Sequence, residues 1–210
     1  MEANTVTTNP VSCHVLRVLV TLLFLLNTYR TLASNNTITT TTTTNSTQTY
    51  RTYIKTSCNS TTYPSICYKT LSPYASTIQT DSFKLCNISL SLALKATKSA
   101  SSTISKQLKQ NNLTSTEAQI VRDCIDEVKD SIDELLQSLD AMSHLEGEDK
   151  EFQIDNIKTW VSAAITDEDT CTDGFEEQNV SAEVKDKIRT CILDVARKTS
   201  NALYFINELS

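Results

Sequence analysis

The sequence predicts an all-α fold: an up-down-up-down four-helix bundle, opened by a helical hairpin and stapled by disulfides. Three observations carry this. Only two glycines, Gly147 and Gly174, occur in 210 residues, too few to turn the tight hairpins of a sheet. From about residue 81 onward, four long segments carry apolar residues at alternating spacings of three and four, the period of a helix with one buried face. Finally, Cys124 and Cys171 stand 23 and 24 residues on either side of Gly147, at the break between two of these segments. Helices folded back at Gly147 would bring both thiols to one height.

The chain opens with the pattern of a secretory signal: Arg17, an apolar run from Val18 to Leu26, and a small-residue site at Thr31-Leu32-Ala33, giving a predicted signal peptide over 1–33. That run falls short of the roughly 20 residues a membrane span requires. No second apolar run follows, so no membrane role is expected. Residues 34–50 are a Thr-rich, low-complexity leader with little to bury, predicted to be disordered, and the folded domain is placed at 51–210.

Within that domain, two short helical pieces are expected between Arg51 and Ser72, the second opened by Pro64 and stopped before Pro73. Cys58 and Cys67 bracket their junction. The first long helix starts at Asp81, a predicted N-cap, and runs to about Gln110 with Phe83, Cys86, Leu90, Ala93, Leu94, Ile104 and Leu108 on its apolar side. The second opens with the capping box Thr114-x-x-Glu117 and carries the cleanest stripe: Val121, Ile125, Val128, Ile132, Leu135, Leu139 and Met142. The third, about Glu151 to Glu177, carries Ile154, Ile157, Val161, Ala164, Cys171 and Phe175. The fourth, about Ser181 to Leu209, carries Val184, Ile188, Cys191, Val195, Thr199, Ala202, Ile206 and Leu209. Short connections make successive helices antiparallel neighbours.

Levelling the remaining cysteines gives the pairs Cys58 with Cys67 and Cys124 with Cys171. Cys86 and Cys191 are expected as free, buried thiols. Cys171 with Cys191 is the rival pairing, at an axial mismatch of about 6 Å.

The composition excludes several classes of function. Without residues 1–33 the chain has 24 acidic and 17 basic side chains, so nucleic acid is not an expected partner. No glycine-rich phosphate cradle exists. Beyond the signal peptide one histidine remains, His144, with Ala141 three residues before it where a di-iron bundle would need glutamate. No metal, no cofactor and no catalytic residue are therefore predicted, and His144 reads as a solvated loop residue. Six Asn-x-Ser/Thr sequons, at Asn35, Asn45, Asn59, Asn87, Asn112 and Asn179, can accept sugar in the secretory route, those at Asn112 and Asn179 beside predicted loops.

One charge pattern stands out. Asp126, Asp130 and Asp133 share a face of the second long helix, flanked by Glu127 and Glu134, and the third adds Asp167, Glu168, Asp169 and Asp173 around Cys171. A staple at Cys124 and Cys171 would merge the two sets into one patch; a solvated helix face is the alternative reading.

The segments TWVSAAITDEDTCTDGFEE (Thr159 to Glu177) and VRDCIDEVKDSIDEL (Val121 to Leu135), with Tyr63-Pro64 between Cys58 and Cys67, resemble the plant pectin methylesterase and invertase inhibitors. That resemblance implies a non-enzymatic protein, secreted to the cell wall (the apoplast), which binds one enzyme molecule and blocks its substrate cleft with its second and third helices. Residue by residue it points to Asp126, Asp130, Asp133, Thr170 and Asp173 as the contacts. Cys86 and Ser131 depart from the family pattern. The Asp169 to Phe175 run looks more like the methylesterase branch, so pectin methylesterase is the expected partner and acid invertase the alternative. The absence of a catalytic domain after Ser210 favours a free-standing inhibitor over a pro-region. The domain is expected as a monomer or as a dimer that exchanges its hairpin. A lipid carrier of the small secreted helical type would need a different cysteine set.

Overall fold

The computed structural model describes residues 45–109, 113–145, 147, 149–176 and 180–209. Two compact units divide the chain, Met1–Gln48 and Thr49–Ser210. The predicted signal peptide and most of the Thr-rich leader lie outside the described residues. The last part of that leader, 45–50, is helical and begins α1 (45–59), whose Tyr50, Tyr53 and Ile54 pack into the core.

The hairpin continues with α2 (Pro64–Leu71), a 3-10 turn (Ser72–Tyr74) and the short α3 (Ala75–Ile78). Pro64 occupies the first turn of α2, where its missing N–H costs nothing. The bundle proper consists of α4 (Ser82–Leu108), α5 (Ser115–Ser143), α6 (Lys150–Glu176) and α7 (Ala182–Asn207). Each long helix packs on its sequence neighbours, and α7 closes the ring on α4, as the up-down-up-down reading requires. No strand occurs among the described residues.

The helix starts follow their sequence signals. Asp81 Oδ1 accepts from the Lys84 N–H at 3.0 Å, and Thr114 with Glu117 forms the full capping box. Glu117 does more than cap: its carboxylate accepts from Thr114 N at 2.8 Å and from Ser181 N at 2.8 Å, so one buried side chain ties the start of α5 to the start of α7. These bonds to the charged form pull its pKa down to about 2. Gly147, at φ +87°, supplies the left-handed residue in the turn between α5 and α6.

Both disulfides join the expected partners, Cys58 with Cys67 and Cys124 with Cys171, the latter with Cα atoms 4.3 Å apart. The hairpin is held to α7 by Asn201. Its Oδ1 accepts from Tyr63 N and its Nδ2 donates to Tyr63 O, both at 3.1 Å, and Arg197 lies 5.8 Å from the Tyr63 ring centre.

The core is divided in two. One cluster joins the hairpin to the adjoining end of the bundle through Ile54, Leu71, Ile78, Leu90, Leu135, Ile157 and Ile206, and the other fills the far end with Ile104, Val121, Val128, Phe175, Ile188 and Val195. Between them lies a layer of four fully buried polar residues, one from each long helix: Thr97, Ser131, Glu168 and Thr199. Glu168 accepts at Oε1 from Ser131 (3.2 Å) and Thr199 (3.0 Å), while Oε2 has no partner among the described residues. Burial is the main cause that pushes its pKa up to about 8, outweighing the two hydroxyl bonds, and Asp169 and Asp167 add to the rise.

Several expected side chains sit elsewhere. Phe83 is 39% exposed rather than packed, because it falls at the open first turn of α4. On α7 it is Ile192, not Cys191, that is fully buried; Cys191 is half-buried and donates to Ile188 O. Cys86 is buried as expected, and desolvation raises its thiol to about 12.

Candidate functional site

The staple between Cys124 and Cys171 sets α5 and α6 at one height, and an open groove of about 380 Å³ runs along their seam above it. Thr116, Gln119, Asp123 and Glu127 line one wall, Thr170 and Gly174 the other, with Ile120 and the disulfide as floor. Stepping along α5 at about 100° per residue, Asp123, Glu127 and Glu134 point toward α6, Asp130 lies at the rim, and Asp126 and Asp133 turn outward. On α6 the same construction puts Asp167, Thr170 and Gly174 at the seam and Asp173 outside it.

The predicted patch is therefore only partly assembled at the seam. Asp130 and Thr170 are brought to it, whereas Asp133 and Asp173 are exposed on the outer faces. Asp126 is exposed too and paired with Lys129 at 2.7 Å. Glu168, grouped with the surface acids by sequence, is instead in the core.

What composition could not show is how strongly the seam acids affect one another. Glu134 and Asp167 meet across the interface. Partial burial and the neighbouring Asp167 push Glu134 up to about 7, with Asp130 adding to the rise, and burial raises Asp167 as well, so the two carboxyls resist being charged together. Glu127 is raised by partial burial first, then by Asp167, Asp130, Asp123 and Asp126. The signal lay in the sequence as Asp123, Glu127, Asp130 and Glu134, spaced four, three and four residues apart, the same rhythm as the apolar stripe but rotated to its α6 side.

No group of three or more His, Cys, Asp or Glu suited to a metal occurs among the described residues. His144 is exposed, its Nδ1 2.8 Å from Asp140 O. No helix of the described residues is long and apolar enough to cross a membrane. Of the sequons, Asn45 and Asn59 are exposed and Asn87 is half-buried on α4, while Asn35, Asn112 and Asn179 lie outside the described residues.

The sequence profile described as plant invertase/pectin methylesterase inhibitor matches residues 52–205, most of the chain. The chain belongs to this family. Its relatives include pectinesterase inhibitor 4 of Arabidopsis thaliana, 49% identical over 77% of this chain and 82% of the relative. A 21 kDa protein of Daucus carota is 40% identical over 75% of this chain and 83% of its own length. In fold the chain is similar to a crystallised mutant form of a pectin methylesterase inhibitor from Arabidopsis, with a TM-score of 0.56, 19% identity, and coverage of 71% of this chain and 92% of that one.

Proposed function

We propose that the protein inhibits pectin methylesterase in the cell wall, binding the enzyme one to one through the α5–α6 face and covering the cleft that pectin enters. The protein acts by occlusion and is not itself an enzyme. The observation that carries this reading is the disulfide-locked acidic seam in a chain that is 49% identical, over 77% of its length, to a protein named as a pectinesterase inhibitor. A rigid face loses little conformational freedom on docking, so more of its contact energy remains as affinity. Its carboxylates suit a cleft shaped to receive a polyanion, and charge of opposite sign speeds encounter.

Asp130 and Thr170 are the contacts closest to the seam, and Asp126, Asp133 and Asp173 widen the footprint on the outer faces. Titration of the oxidised protein at mildly acidic pH against a plant pectin methylesterase and a plant acid invertase tests the function. Loss of methylesterase activity near one-to-one stoichiometry with invertase untouched supports it, and the reverse result replaces it with invertase inhibition. Asp130→Ala with Thr170→Ala should weaken inhibition more than Asp126→Ala with Asp133→Ala. An equal or opposite order would move the contact surface off the seam.

A further inference from the structure

The charge of the bundle is segregated. α5 has eight carboxylates against Arg122 and Lys129, and α6 seven against Lys150 and Lys158. On the opposite side α4 has four lysines and no acidic residue, and α7 carries five basic residues against three acidic. A second open groove, of about 340 Å³, follows the α4–α7 seam, with Thr70, Ser99 and Thr103 along it and Lys95 and Lys198 at its rims.

The lysines there are in register. Lys95 and Lys106 are eleven residues apart, as are Lys187 and Lys198, and eleven residues are close to three whole turns, so each pair shares a face about 16 Å long. The groove sets Leu92–Thr103 of α4 against Cys191–Lys198 of antiparallel α7. Extending that alignment places Lys106 opposite Lys187. The result is two rungs, Lys95 with Lys198 and Lys106 with Lys187, and Lys98 and Lys109 lie on the same outward arc of α4. Asp194 pairs with Lys198 inside the groove and is the acid that opposes them there. Lys95, Lys98, Lys106, Lys109 and Lys187 are exposed and enter no ion pair among the described residues.

From this arrangement we infer that the α4–α7 face is a second binding surface, for a linear polyuronate such as the de-esterified stretches of pectin. Cations in two rungs along a groove suit a chain with evenly repeated carboxylates, and the hydroxyls of Ser99 and Thr103 between them, with that of Thr70 beyond the Lys95 rung, suit its ring hydroxyls. The chain's net negative charge opposes general adhesion to polyanions and confines attraction to this face. The choice of polyuronate rests on the inhibitor reading, since removal of methyl esters from pectin creates this polymer where the target enzyme works. The inhibitor would thus be retained where its target has already acted, with the α5–α6 face free.

The test needs no enzyme. The purified oxidised protein is run by affinity electrophoresis through gels containing polygalacturonate, fully methyl-esterified pectin, or DNA at equal charge. Retardation by polygalacturonate alone, weakening as salt rises, is expected, with at least a tenfold loss of affinity in the Lys95→Gln, Lys106→Gln, Lys187→Gln triple variant. The variant should melt like the parent and inhibit pectin methylesterase equally, so a failure of inhibition in both proteins would sink the functional reading without touching this one. No retardation by polygalacturonate, equal retardation by the esterified polymer or by DNA, or an unaffected triple variant would each overturn the inference.

Discussion

Thr199 on α7 hydrogen-bonds to Oε1 of Glu168 on α6 at 3.0 Å, in the centre of a fully buried layer. The same hydroxyl is 3.1 Å from Val195 O, its helix neighbour one turn back. Glu168 is accommodated here as a neutral acid, and this sets the first prediction. Its folded pKa, about 8, exceeds the ordinary 4.5, so its stabilising contribution is complete below about 4.5 and is lost as pH rises through about 8. Each pH unit in that window removes up to about 1.4 kcal/mol. Glu168→Gln keeps an oxygen for both hydroxyls and removes the ionisation. Denaturant midpoints should be similar to the parent at pH 5 and higher than the parent at pH 8. An unchanged difference across that range would mean that Glu168 is charged in the fold.

Glu117 works in the opposite sense. Its folded pKa is depressed to about 2, so the stability it adds is present above about 4.5 and lost as pH falls through about 2. Glu117→Gln should lower the melting temperature at pH 6 and lose most of that deficit near pH 2, where the parent carboxyl is about half protonated in the fold and fully protonated in the unfolded chain. A deficit as large at pH 2 as at pH 6 would show that the side chain acts by packing alone.

Asn201 exchanges two hydrogen bonds with the backbone of Tyr63, and no other residue could supply both from the same position with a side chain of that length. Asn201→Ala should cost about 2 kcal/mol, since both backbone groups lose their partners. The 58–67 disulfide would keep the hairpin closed on itself while its anchor on α7 is weakened. Faster proteolysis between Asn59 and Tyr63, together with concentration-dependent dimer by light scattering, is the expected outcome. A monomer with parent-like cleavage would mean that core contacts of Ile54 and Leu71 suffice.

Gly174 tests the seam without touching charge. An added Cβ would meet only Ile120 Cγ2 at 3.9 Å, an ordinary contact, and the residue is helical. Gly174→Ala should therefore stabilise the fold by up to about 1 kcal/mol while placing a methyl in the α5–α6 groove. A higher melting temperature with weaker inhibition of pectin methylesterase is expected. Full inhibition by the stabilised variant would place the enzyme elsewhere on the bundle.

Most of the architecture was legible because helix periodicity and capping are local. Asp81, Thr114 with Glu117, and Gly147 mark boundaries by their own chemistry. The equal distances of Cys124 and Cys171 from Gly147 converted a one-dimensional count into a contact. Direction around a helix was harder to read. Asp126, Asp130 and Asp133 share an arc, but where that arc faces depends on which neighbours the helix packs against, and the packing turned two of the three away from the seam. Glu168 has a trace in the sequence: the α6 stripe steps from Ala164 to Cys171 and skips one turn, and Glu168 occupies the vacant place. Charge made it look like a surface residue, whereas its partners Ser131 and Thr199 come from helices distant in sequence, which no local pattern encodes. Cys191 and Ile192 differ by one position, a rotation of about 100°, and only the packing of α4 on α7 chose between them.

The layer of Thr97, Ser131, Glu168 and Thr199 has a consequence for assembly. Four helices with similar apolar stripes can dock in several vertical offsets that bury nearly the same area, and apolar contacts alone discriminate poorly among them. Sliding α6 by a single turn would set the Glu168 carboxyl against Val128 or Leu135 of α5 and against Val195 or Ala202 of α7, leaving a polar group in hydrocarbon with nothing to bind. One buried acid with two hydroxyl partners therefore works as an alignment key, and the disulfide between Cys124 and Cys171, one turn away from it, seals the offset the key has selected.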